Sequence, residues 1–270
     1  MKKAVSFNDR PPCLPFVFGL VVLFGLIVLL AGCVTVKDYR GPINKQKLVA
    51  DYVQLGKAYL QRNSRELARR NFDKALAVDS RSAQANNGMA LLYQLNGEWA
   101  LAEAHYLKAI DADADYTQVK DNYGLFLYRQ GRYREAYNIL HEVTVDLSYE
   151  RRAQALANLG RTALKLGKRE RAKSLFQHAL NINSKVLISI IELAEMHFDE
   201  EDYAKSKHYL DQYVQLAPRH SPRSLWLGIR IERIFGNKDK EASYVLALKN
   251  LHPYSNEYLQ YQATSGNDRQ

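Results

Sequence analysis

The chain has 270 residues and a formal net charge of +9 at pH 7, with 47% hydrophobic and 25% charged residues, which is ordinary for a globular protein. Its two cysteines, Cys13 and Cys33, both lie in the first 33 residues. The rest of the chain can therefore hold no disulfide and no cysteine-based metal or catalytic site. Lysine and arginine are scattered without a basic block, so the charge favours an acidic partner, anionic lipid or cell-wall polymer and does not indicate nucleic-acid binding.

The N-terminal segment combines basic residues with an apolar run from Phe16 to Leu30, and the residues LAGC follow, ending at Cys33. This pattern resembles the bacterial lipoprotein signal, in which the cysteine thiol receives a diacylglycerol group and the chain is cut before it. The resemblance implies a signal peptide over residues 1–32 and lipidation of Cys33. An uncleaved membrane anchor is the alternative, but the apolar run is shorter than the roughly 20 residues that span a bilayer comfortably.

Residues 33–48 are interpreted as the acylated cysteine and a tether, which carries the turn signal Arg40-Gly41-Pro42. Fully extended, the tether would reach about 50 Å. The residue after the cysteine is Val34. In lipoproteins of double-membraned bacteria an aspartate at this position typically signals retention in the inner membrane. The resemblance therefore implies an outer-membrane, periplasm-facing protein.

A spacing of 34 residues organises the remainder of the chain. Small residues recur with this spacing, interrupted by one two-residue insertion, at Gly56, Ala90, Gly124, Gly160, Ala194 and Gly228. A second set of small residues follows at Ala68, Ala102, Ala136, Ala172 and Ser206. Large residues come four positions later, at Phe72, Tyr106, Leu140, Phe176 and Leu210. This small, small, large pattern resembles the tetratricopeptide repeat.

The resemblance implies an all-α solenoid of about six helix-turn-helix repeats wound into a right-handed superhelix. In each repeat the small residues let helix A approach helix B, and the large residue fills the space beside the contact. The glycines Gly97, Gly131 and Gly167 fall at the turn between A and B, where a positive φ is often needed. The predicted repeats are Val49–Ser82, Ala83–Tyr116, Thr117–Glu150, Ala153–Val186, Leu187–His220 and an irregular sixth ending at Tyr254. Residues 255–270 are predicted to form a short cap and a tail.

Helix A of each repeat is expected to line the concave face, with its second, fifth, ninth, twelfth and thirteenth positions free. Apolar residues mixed with amides suit a groove that buries side chains of a peptide while the amides pair with its backbone. Some of these leucines could instead pack against the next helix A. The predicted partner-binding residues are Val53, Lys57, Leu60, Asn87, Leu91, Gln94, Leu125 and Tyr128.

The sequence contains no phosphate-binding loop, no zinc-protease motif and no nucleophile-elbow motif. His197 with Glu200 or Glu201 has a helical spacing open to a metal, but two ligands do not make a site. His197 replaces the tyrosine usual in helix A, so packing is the favoured interpretation. We therefore expect neither an enzyme nor a cofactor, a metal or a small-molecule substrate.

Three segments make the resemblance more specific: residues 122–133, 223–230 and 242–253. Together with the signal and the six repeats, they resemble the PilF/PilW family, the pilotins of type IV pilus biogenesis. The resemblance implies a non-enzymatic lipoprotein that binds the secretin, the outer-membrane channel of the pilus, and helps it reach the outer membrane and form multimers. A repeat-lipoprotein scaffold for periplasmic cell-wall hydrolases or proteases is the alternative.

Overall fold

The computed structural model describes residues 44–267, and from Lys45 onward they belong to one compact unit. The expected signal peptide, Cys33 and most of the tether lie outside the described residues. Every regular element among the described residues is an α-helix. The helices are α1 (Lys45–Gln61), α2 (Arg65–Val78), α3 (Ala83–Asn96), α4 (Trp99–Ala112), α5 (Thr117–Arg129), α6 (Tyr133–Val145), α7 (Arg152–Lys165), α8 (Arg169–Ile182), α9 (Leu187–Asp199), α10 (Tyr203–Leu216), α11 (Pro222–Ile234), α12 (Lys238–Leu251) and α13 (Asn256–Asn267).

The first twelve helices form six A–B pairs, with odd-numbered helices as A and even-numbered helices as B. Each A helix packs against its own B helix and against the A helix of the next repeat. This confirms the all-α repeat solenoid. The tether was expected to extend to Leu48, but α1 already begins at Lys45, so its last four residues belong to the first turn of that helix.

The small and large residues of the pattern meet inside each repeat, as predicted. All five small residues of the B helices have no exposed surface, and the large residues four positions later are at most 1% exposed. A Cβ added to Gly56 would lie 2.4 Å from the Phe72 ring, and one added to Gly160 would lie 2.6 Å from the Phe176 ring. Glycine is needed at both positions because these backbones touch the ring of the partner helix directly.

The sixth repeat keeps this contact although its spacing is irregular. A Cβ on Gly228 would come within 2.9 Å of the Tyr244 ring, so Tyr244 takes the place that Phe72 and Phe176 hold. The added cap is also helical: α13 packs against α11, and Tyr258 and Tyr261 contact the cluster built on Leu225. The last repeat is therefore covered on the side where a seventh helix A would lie. No helix among residues 44–267 has both the length and the hydropathy to span a bilayer.

The turn from helix A to helix B uses one residue with positive φ in every repeat. The predicted glycines Gly97, Gly131 and Gly167 have φ of 79°, 75° and 73°. Gly236, one residue late in sequence, has φ 71° and serves the sixth repeat. The first and fifth repeats use Asn63 at φ 56° and Glu201 at φ 59°.

Replacing Glu201 by glycine is expected to raise the free energy of unfolding by about 0.5–1 kcal/mol. A side chain at positive φ costs about 1–2 kcal/mol, which glycine's greater flexibility in the unfolded chain partly offsets. Urea denaturation of the purified repeat unit measures the change. The reverse substitution, Gly131→Ala, should lower stability, and no change in either variant would contradict a strained turn.

Candidate partner-binding groove

The A helices lie side by side and present two rows of residues along the repeat unit. The first row contains Lys57, Leu91, Leu125, Arg161 and Glu195, and the second contains Leu60, Gln94, Tyr128, Leu164 and Phe198. All ten are partly exposed. In the first row the apolar members lie in the second and third repeats, and the charged ones lie in the first, fourth and fifth. We call the surface made by these two rows the groove.

Six of the eight predicted groove residues lie in these rows, and two do not. Val53 is 5% exposed and packs with Val49, Ala75 and Ala85. Asn87 is 1% exposed, and its side-chain oxygen accepts a hydrogen bond of 3.0 Å from Asn122 of the next repeat. Asn87 is therefore a buried contact between repeats and offers almost no surface to a partner. Asn87 therefore packs against helix A of the next repeat, which was the alternative to a free groove position.

A cavity of about 780 Å³ opens at the start of the groove. Its lining comes from α1, from the turn between α2 and α3 and from the first turn of α3. Val49, Val53 and Val78 contribute apolar surface, while Lys57 and Gln84 contribute polar groups. The cavity is therefore large enough for an apolar side chain and has amide and ammonium groups at its border.

Two groove residues of the second and third repeats, Gln94 and Tyr128, are held by contacts within their own repeats and with the next repeat. Gln94 accepts a hydrogen bond of 3.0 Å from the hydroxyl of Tyr106. The Tyr128 ring meets Tyr133 edge to face at 5.4 Å, and the guanidinium carbon of Arg161 lies 5.1 Å from its centre. These contacts fix the side chains before any partner arrives, which lowers the entropic cost of binding.

Asp121 occupies the fifth position of the third repeat and was expected to be free, but it has no exposed surface. Its Oδ2 accepts a hydrogen bond of 2.9 Å from the Tyr149 hydroxyl, and Arg151 lies 3.9 Å away. Burial raises the pKa of the Asp121 carboxyl, and these two groups oppose that rise. The loop before α7, where the two-residue insertion falls, thus covers this part of helix A.

A charged network lies beyond Arg161, between α9 and α11. The Arg223 guanidinium donates to both carboxylate oxygens of Glu192, at 2.9 and 2.8 Å, and to Glu195 at 2.6 Å. Carboxylate hydrogen bonds of this kind hold the pKa of Arg223 above its usual value despite its burial. This network was not predicted from the sequence. A signal was present, because Glu192 and Glu195 lie within the apolar first part of helix α9, where buried carboxylates require a cationic partner.

His197 is packed, as favoured by the sequence. It is 5% exposed and stacks on Tyr209 with ring centres 5.6 Å apart. Burial lowers the pKa of its imidazole. Its Nδ1 lies 3.5 Å from Glu200 and 3.7 Å from Asp202, and no set of three potential metal ligands occurs within residues 44–267.

Comparisons of the sequence and the structure with known proteins identify the class of repeat protein. Tetratricopeptide-repeat models match residues 53–117 and 153–186. The solved structure of PilW, a type IV pilus biogenesis factor, has a TM-score of 0.70 at 22% identity, covering 80% of this chain and 98% of that one. The fold and the groove define a tetratricopeptide-repeat protein.

Two comparisons with the same relative are more specific. The type IV pilus assembly protein PilF of Pseudomonas aeruginosa is 38% identical over 246 residues, which cover 90% of this chain and 97% of that protein. The structure of Pseudomonas aeruginosa PilF superposes with a TM-score of 0.78 and covers 82% of this chain and 99% of its own. The chain belongs to the PilF/PilW family.

Proposed function

We propose that this protein is a pilotin of type IV pilus biogenesis. In this proposal it is anchored to the outer membrane by a lipid on Cys33, binds a segment of the secretin in its groove and promotes the localisation and multimer assembly of that channel. Family membership supports a role in pilus assembly, because the Pseudomonas aeruginosa relative carries that name. The role is one of binding, since a repeat scaffold with an open groove needs no catalytic group.

The observation that carries the proposal is the cavity at the start of the groove. Its apolar floor can bury a hydrophobic side chain of an unfolded secretin segment. Gln54 and Gln84 border it and can pair with the main chain of an extended peptide. Binding of this kind shields an aggregation-prone segment until the secretin ring assembles.

The anchor part of the proposal rests on the sequence before the described residues. Acyl chains stabilise membrane attachment by about 0.8 kcal/mol per buried CH₂, so several chains hold a protein durably. Val34 in place of aspartate supports export to the outer membrane. The repeat unit would then remain near the membrane in which the secretin assembles.

The double substitution Leu60→Glu and Leu91→Glu tests the groove. It places two carboxylates at partly exposed apolar positions of the groove, where a hydrophobic segment would otherwise bind. We therefore expect loss of most heat-resistant secretin multimers on unboiled gels. Leu55→Glu is the matched control, because Leu55 is 47% exposed and lies about 140° around α1 from Leu60. Unchanged multimers in the double variant, at normal protein level and melting temperature, would contradict the groove.

Cys33→Ala tests the anchor. We expect the protein to leave the outer-membrane fraction, secretin multimers to fall and the remaining secretin to shift to the inner membrane. If the variant leaves the outer membrane but the multimers persist there, the anchor stands and the pilotin role is overturned. A pull-down that recovers cell-wall hydrolases and no secretin would then favour the scaffold.

A further inference from the structure

A cluster of two aromatic rings and one cation lies at the far end of the groove. The guanidinium carbon of Arg230 lies 4.3 Å from the centre of the Phe198 ring and 5.6 Å from that of Trp226. Trp226 and Arg230 are four residues apart on α11, so they share one face of the helix. Phe198 belongs to the same groove row as Leu60 and Tyr128, and all three cluster residues are partly exposed.

Arg230 has no carboxylate partner within the described part of the chain. Its Nε is buried without a hydrogen bond, and no ion pair among residues 44–267 includes it. The acids around it are engaged elsewhere. Glu192 and Glu195 are balanced by Arg223 and by Arg161, which lies 3.9 Å from Glu192, while Asp199 pairs with Arg169 and Glu241 with Arg233. This part of the groove therefore presents one uncompensated positive charge.

That charge persists at neutral pH. Burial lowers the pKa of Arg230, while Glu195 and Asp199 act in the opposite direction. The usual pKa of arginine is above 12, so the guanidinium stays protonated in cells. The terminal nitrogens of Arg230, which make no hydrogen bond within residues 44–267, are the donors that an anion can reach, and part of the desolvation of this side chain has already occurred in the folded protein.

We propose that Phe198, Trp226 and Arg230 form a second peptide-binding site, which receives an acidic side chain flanked by apolar residues from an extended partner segment. The guanidinium binds the carboxylate of this side chain, and the two rings contact its apolar neighbours. The site is distinct from the cavity between α1 and α3 and does not depend on which protein that cavity binds.

The charge of the site selects one carboxylate over a polyanion. Beside Arg230, Arg161 and Arg223 balance Glu192 and Glu195, so this network contributes no further free cation. A nucleic acid or a phosphate-rich polymer requires several free cations in a row. A single aspartate or glutamate within a protein segment requires only one. The two rings next to the guanidinium restrict its motion, so little conformational entropy is lost when it binds.

Tryptophan fluorescence can test the site directly. The chain has two tryptophans, and Trp99 is 47% exposed on α4, so Trp99→Phe leaves Trp226 as a reporter in contact with Arg230. The probes are two libraries of acetylated and amidated nonapeptides with randomised apolar flanks. One has a central glutamate and the other a central glutamine. Each library is titrated into the full mature protein, and individual peptides selected from it are then measured.

We expect the glutamate peptides to shift Trp226 emission and to bind about tenfold or more tightly than their glutamine counterparts, as is typical for a charge-assisted hydrogen bond. Arg230→Gln should abolish this preference, and Arg230→Lys should retain part of it. Arg233→Gln is the matched control, because it removes a charge from the same helix that is already paired with Glu241.

Equal affinity for the two libraries, no binding at millimolar peptide, or a preference that survives Arg230→Gln in a protein of unchanged melting temperature would overturn the site. The Leu60→Glu and Leu91→Glu protein should retain the glutamate preference. The secretin assay on this double variant therefore tests the proposed pilotin role, and the peptide titration tests the Arg230 site independently of it.

Discussion

Replacing Phe72 by alanine is expected to lower the free energy of unfolding by about 3–5 kcal/mol. The ring has no exposed surface and lies between two A helices. A Cβ added to either Gly56 or Gly88 would come within 2.4 Å of it. Because two backbones have approached to fit this one ring, its removal leaves a cavity that neither helix can fill with a side chain of its own.

The loss should be concentrated in the first two repeats. In a solenoid each repeat contacts only its neighbours, so removal of this contact weakens the coupling of α1 and α2 to the rest of the unit. Hydrogen exchange should accelerate in α1 to α3 and remain unchanged in α9 to α12, and chemical denaturation should show an early phase. The groove cavity would be lost with the same helices, since α1 and α3 line it.

Phe72→Leu is the control for this prediction. Leu140 takes the same position in the third repeat, where a Cβ on Gly124 would lie 2.7 Å from it. The leucine variant should therefore lose less than about 1.5 kcal/mol. Equal losses in the alanine and leucine variants would show that the ring does not hold the repeats together.

The repeat contacts could be predicted from the sequence because each depends on a fixed chain spacing. Gly56 meets Phe72 and Gly160 meets Phe176 at the same separation of sixteen residues. A steric requirement that recurs this regularly is visible as a pattern of residue size. The same holds for the turn glycines, although at Glu201 the fold imposes a positive φ that the residue itself does not suggest.

Exposure in the groove could not be predicted in the same way, because it depends on what a neighbouring repeat places over a position. Asn87 is covered by its hydrogen bond to Asn122, and Asp121 is covered by Tyr149 from the loop before α7. The two-residue insertion in that loop is visible in the sequence. The direction in which the loop folds depends on the packing of α6 against α7, which a repeat pattern does not encode.

The ion pairs between repeats are also beyond prediction from spacing. Arg223 reaches back 31 residues to Glu192 and 28 residues to Glu195, while Lys207 pairs forward with Glu232. The charges are evident in the sequence, but many arginines and glutamates lie at similar separations. Only the packing of the helices of adjacent repeats determines which of them meet, and this packing also leaves Arg230 without a partner.

Arg223→Met is expected to lower the free energy of unfolding by about 2–3 kcal/mol, less than for a fully buried pair because the arginine side chain is 40% exposed. The substitution leaves Glu192, whose side chain is 9% exposed, and Glu195 facing each other without their shared cation. Methionine fills a similar volume, so the loss measures charge and hydrogen bonding more than packing. Urea denaturation of the purified repeat unit gives the difference.

A double-mutant cycle separates the two contributions. Adding Glu192→Met to Arg223→Met removes the carboxylate that would otherwise remain buried without its cation, and the double variant should recover about half or more of the lost stability. If the double variant is instead as unstable as the sum of both single variants, the pair contributes nothing by its mutual contact. Recovery would mean that the fifth and sixth repeats use the network to fix how their A helices meet rather than to add stability. The register of this part of the groove, and with it the placement of Arg230, would then depend on Arg223.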